Sequence, residues 1–224
     1  MSLLHADAPW GLAVFGWLIA IGASAQAVRE VRHGFLPADA AQHRWLAATV
    51  AVALLWALHV RSPIGLDFGL LGSALFALVF GRARAVLGLM AALLLYTALD
   101  GGSWFNIGIN GLVLAVIPAW LASTLQRQIE LRLPRNIFVF IIGNGMFVTL
   151  VATACTSVLI LTLSVAESSA APRLLGDHLA YSLLLAWGEA LLSGMLFSAL
   201  VVFTPQAVLT YRQDLYLPPL RHRR

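Results

Sequence analysis

The 224-residue chain has no lysine, a single cysteine and only ten acidic residues, and each shortage removes a class of function. Without lysine there is no phosphate-binding loop ending in Lys-Ser or Lys-Thr, so the chain cannot be its own P-loop ATPase. No Schiff base to retinal can form either. Cys155 alone gives no internal disulfide, no CxxC pair and no thiolate metal cluster. Charged residues make up 11% of the chain, against roughly a quarter in soluble domains. What replaces them is apolar: 60% of the residues are hydrophobic and the mean hydropathy is +0.87. No polar block is long enough to fold separately. The composition therefore predicts one polytopic membrane domain over residues 1–224.

The cationic excess is all arginine, 14 residues placed at the edges of apolar runs and not in one patch. That distribution suits control of membrane topology and argues against nucleic-acid binding. The six histidines, His5, His33, His43, His59, His178 and His222, also fall near the ends of runs. A bis-histidine haem would need them facing each other at depth. No nucleophile–base pair and no cofactor fingerprint is present, so no enzyme is expected.

Apolar runs cover roughly residues 8–24, 43–60, 66–80, 84–99, 105–124, 136–165 and 178–203. The first lacks a basic region ahead of it, so it is taken as a span and not as a cleaved signal peptide. Segments 66–80 and 84–99 are short for the ~20 residues that cross ~30 Å of hydrocarbon, so either could be a short span or a partly re-entrant piece. If all seven cross with the N-terminus outside, only Arg61 and Arg173 of the 14 arginines lie outside. This is the sense the positive-inside bias requires. The expectation is an all-α integral membrane protein, a compact bundle of about seven transmembrane helices with its C-terminus cytoplasmic.

Lipid supplies no hydrophobic drive for helix association, so small residues must permit close approach. Gly69, Ser73, Ala77 and Gly81 form such a ridge in the third run, Gly145, Thr149 and Thr153 in the sixth, and Ala186, Ala190, Gly194 and Ser198 in the seventh. Glu189 is the one acidic residue well inside a run; a carboxylate there needs a partner, water or a proton. With Ser193 and Ser182 it could form an inward polar stripe. Asn144, between two glycines, must likewise find hydrogen bonds. Asp67, after the SPIG turn, is expected to cap the third helix.

The stretch Asp100–Asn110, DGGSWFNIGIN, is too polar for an ordinary span. Its glycines permit unusual dihedrals, and Asn106 and Asn110 can satisfy irregular backbone. It is expected to be a re-entrant lining of an outward-facing cavity in preference to a plain turn. On the same outer side the topology gathers His5, His59 and His178 with Asp7, Asp67, Asp100 and Asp177, residue types that can bind a divalent metal.

Four stretches between about residues 66 and 216 carry a resemblance: GLDFGLLGSALFALVFG, AVLGLMAALLLYTALDGGSWFNIGIN, LPRNIFVFIIGNGMF and GEALLSGMLFSALVVFTPQ. Together they resemble the CbiM/NikM-type permeases of energy-coupling-factor transporters, in particular the short proteobacterial members. The resemblance implies a seven-helix substrate-binding subunit for cobalt or nickel in a bacterial inner membrane. It implies as partners a transmembrane coupling subunit and cytoplasmic ATPases, and a Co or Ni ion as substrate, with no cofactor of the chain's own. The family pattern holds its metal through the N-terminal amine, a histidine at the second residue and another histidine before helix 3. Here those places hold Ser2 and, in GLDFGLLG, Gly69. His5, Asp7 and His59 are the candidate replacements. The alternative is a non-transporting subunit of a larger complex that keeps the bundle without the metal site.

Overall fold

The protein is described by a computed structural model over residues 9–32, 39–58, 60–61, 67–100, 103–134, 136–167 and 172–211. Seven helical segments occur there: α1 (Trp10–Val31), α2 (Asp39–Ala57), α3 (Ser73–Phe80), α4 (Arg82–Asp100), α5 (Trp104–Arg132), α6 (residues 137–167) and α7 (Pro172–Phe203). Between α2 and α3 lies a two-residue antiparallel pair, β1 (Val60–Arg61) against β2 (Asp67–Phe68), with Val60 opposite Phe68. Five helices, α1, α4, α5, α6 and α7, are long and apolar enough to cross a membrane. The 19 residues of α2 also span ~28 Å at ~1.5 Å per residue. Large apolar side chains such as Phe15, Leu18, Trp187 and Met195 point outward, as a lipid solvent allows.

The expected third span is the element that differs. Its apolar octet SALFALVF has no polar face beyond Ser73, and seven of its side chains are buried. An all-round apolar helix belongs in a core. Its eight residues cover only ~12 Å, less than half of the ~30 Å hydrocarbon layer. Before it, Asp67–Phe68 is strand and Gly69–Gly72 has no regular secondary structure, so the described part of segment 66–80 is a half-helix preceded by non-helical chain. Two expectations change with it. Gly69 is not helical, so the ridge contracts to Ser73, Ala77 and the C-cap Gly81. Asp67 lies in β2 opposite Arg61, and the N-cap is Gly72. Gly72 (φ 66°) and Gly81 (φ 80°) bracket α3 and are the only residues with positive φ among those described. A side chain at either would be strained.

Arg82, which opens α4, pairs with Glu30 at the end of α1 at 2.6 Å and lies 4.5 Å over the Trp120 ring. Trp45 Nε1 donates to the Arg84 carbonyl at 3.1 Å. These contacts bring the end of α1 and the starts of α2 and α4 to one arginine-rich end of the bundle.

Close backbone approach holds the helices together where small residues occur. A Cβ on Gly145 of α6 would sit 3.1 Å from Gly194 Cα of α7, and Ala186 and Ala190 on the same ridge are fully buried. Ser198 is half-buried. In the stretch DGGSWFNIGIN, Ser103 begins α5 through a 3₁₀ turn at Trp104–Asn106, and the helix continues unbroken. A Cβ on Gly108 would meet Trp17 N at 2.4 Å, and one on Gly16 would meet Ile109 N at 2.6 Å. The expectation of a re-entrant cavity lining is therefore corrected: from Ser103 onward this is the start of a spanning helix, and Gly108 serves its contact with α1.

Pro118 explains a neighbouring feature. It has no N–H for the Leu114 carbonyl, its α-helical acceptor, and residues Leu112–Val116 are wound as π-helix. Ser73 Oγ of α3 donates to that carbonyl at 2.7 Å. The defect in α5 thus becomes the attachment point for the half-helix.

A carboxylate clasp at mid-depth

Glu189 stands near the middle of α7, seventeen residues after Pro172 and fourteen before Phe203. It is 2% exposed. Its two carboxyl oxygens divide between successive backbone donors: Leu71 N reaches Oε2 at 2.8 Å and Gly72 N reaches Oε1 at 2.9 Å. These N–H groups stand at the start of α3, where no intrahelical acceptor is available and the helix dipole favours negative charge. Both sides gain: the helix start finds its acceptors, and the buried carboxylate finds donors at a depth where an unpaired charge is costly. Trp56 Nε1 donates to the Leu71 carbonyl at 2.7 Å, so α2, α3 and α7 meet at one peptide unit. The buried Thr153 hydroxyl of α6 lies beside the same carboxyl without a standard hydrogen bond.

Because Glu189 is at mid-helix, residues 67–72 reach half-way into the bundle. The arrangement can hold that segment in a fixed pose. Of the expected polar stripe, Glu189 and Ser193 are buried and Ser182 is half-buried. Asn144 lies in the π-helical turn Ile141–Val148, fully buried, and among the described residues neither atom of its carboxamide has a hydrogen-bond partner. The expected hydrogen-bonded pin at Asn144 is thus not found there. Thr149 and Thr153 follow it on the inward face of α6. Asn106 and Asn110 are buried within α5.

The expected metal ligands His5, Asp7 and His59 lie outside the described residues, as do the side chains of Asp67 and Asp100. Among the described residues no three His, Cys, Asp or Glu side chains converge into a metal-binding group. The contacts of the clasp that the sequence did not reveal are the backbone of Leu71 and Gly72 and the indole of Trp56. The one available signal was the spacing of Gly69, Gly72 and Gly81 around an octet too short to cross.

Comparison with known proteins bears on this architecture. A sequence model of the family described as CbiM, cobalt uptake substrate-specific transmembrane region, matches residues 8–207. Two solved structures are similar in fold. One, of a transition metal transporter, gives a TM-score of 0.72 at 16% identity, covering 96% of this chain and 100% of that one. The other, of a truncated transition metal transporter, gives 0.68 at 18% identity, covering 90% and 99%. A search of curated proteins finds no match.

Proposed function

The chain belongs to the CbiM family, and from that premise we propose that it is the substrate-binding membrane subunit of a transporter for a transition-metal cation such as cobalt or nickel. The family match over residues 8–207 carries this reading. The half-helix supports it, since it holds residues 67–72 as a fixed backbone segment at mid-depth, away from the arginine-rich end. The ligands proposed are His5, Asp7 and His59, which precede α1 and β1 in the chain. Imidazole nitrogens suit Co and Ni, and one carboxylate would offset part of the charge. The ion is cargo here, not a resident cofactor.

Energy must come from elsewhere, since a chain without lysine has no P-loop. A transmembrane coupling subunit and cytoplasmic ATPases are the proposed partners, in a bacterial inner membrane. Titration calorimetry of the purified protein with Co²⁺ and Ni²⁺ tests the binding step. Saturable binding is expected, weakened at least tenfold (about 1.4 kcal/mol) by His5→Ala or His59→Ala. Absence of binding to either ion would overturn the metal reading. Ser2 and Gly69 favour one alternative, a bundle that acts as a structural subunit without metal. Purification from native membranes with partners other than a coupling subunit and ATPases would support that alternative.

A further inference from the structure

Both ends of α3 are held by chain segments far away in sequence. At its start stand Glu189 and Trp56, as described. At its end the segment after α7 returns to the bundle: Leu209 N donates to the Val79 carbonyl at 2.8 Å, and Thr210 Oγ1 donates to the Leu78 carbonyl. These are last-turn carbonyls, which lack intrahelical donors. The returning segment is itself anchored, with Val208 buried in the core and the Tyr211 ring 5.1 Å from that of Phe140 in α6.

Between these clamps the helix is stiff, and the backbone freedom lies at its two ends, Gly72 and Gly81. A short rod with a glycine at each end and a separate clamp on each can transmit a displacement along its length. We propose that α3 is a strut coupling residues 205–211 at the arginine-rich end to residues 67–72 at mid-depth, so that displacing the C-terminal segment loosens the Glu189 clasp. A partner that engages the arginine-rich end would then alter the pose of the loop segment without touching it.

Hydrogen–deuterium exchange on the full-length protein in lipid nanodiscs tests this. The double variant Leu209→Pro, Thr210→Val removes both lower donors. Exchange at the Leu71 and Gly72 amides should rise at least about fivefold, the lower bound of ordinary coupling between sites, while α6 amides around Val148 stay protected. Coupling is reciprocal, so Glu189→Gln should speed exchange at the Leu209 amide. That arm keeps the test decisive if the double variant does not fold. Faster exchange in residues 205–211 with Leu71 and Gly72 unchanged would overturn the proposal. So would a uniform rise across the bundle, or an unchanged Leu209 amide in the Glu189→Gln protein.

Discussion

Replacing Glu189 separates a structural clasp from a group that serves a passing ion. Glu189→Ala removes both acceptors and leaves the N–H groups of Leu71 and Gly72 buried without partners. Each orphaned donor costs about 1–3 kcal/mol, so the pair costs about 2–6 kcal/mol before any cavity contribution. Glu189→Gln keeps one oxygen at nearly the same place and turns an NH₂ toward the second donor, so it should lose about half as much, ~1–3 kcal/mol. The expected order of stability is wild type, then Gln, then Ala. Equilibrium unfolding of the purified protein in mixed micelles measures it, with the transition followed by tryptophan fluorescence. If Glu189 instead faced water and served an ion, both variants would unfold within ~1 kcal/mol of wild type and differ from it only in transport. That outcome, or a Gln variant no more stable than the Ala variant, would refute the clasp.

Two further outcomes follow from the packing. Gly108→Ala places a methyl group against the backbone of Trp17, which cannot yield as a side chain can, and should cost at least about 1–3 kcal/mol in thermal unfolding. Gly22→Ala, with nothing within 4 Å, is its control and should be neutral or stabilising by up to ~1 kcal/mol. Ser73→Ala orphans the Leu114 carbonyl that Pro118 cannot serve, for about 1–3 kcal/mol. In a Pro118→Ala background the restored N–H can take that carbonyl, so a double-mutant cycle should show the Ser73→Ala cost shrinking by half or more; an unchanged cost would show that Pro118 is not the cause.

The number and order of the seven helical segments were legible in hydropathy alone, because backbone in lipid must satisfy its own hydrogen bonds and long apolar runs can do so only as helices. The alternation of arginines also pointed to the shared end of α1, α2 and α4, because cationic connections gather on one side of a membrane. The ridges on α6 and α7 were legible too, since Gly145, Ala186, Ala190 and Gly194 stand at helical spacing and only small residues allow such contact. Glu189 stood out as a buried acid in need of a partner. Its partner was not legible, because the donors are main-chain N–H groups that every residue carries and that no side-chain pattern marks.

The glycines show most clearly where sequence reasoning stops. Gly72 and Gly81 serve positive φ and end a helix, whereas Gly108 and Gly145 serve close approach inside helices; the letter is the same. Reading Gly108 in the first sense made DGGSWFNIGIN look irregular, and reading Gly69 in the second made segment 66–80 look like a full span. Local composition determined that this chain is a membrane bundle, which runs are helical and which end carries the arginines, because those depend on the free energy of each segment in lipid. Only the tertiary structure decided that α3 stops half-way and that Glu189 holds its start, because both depend on which distant backbone arrives beside a given residue.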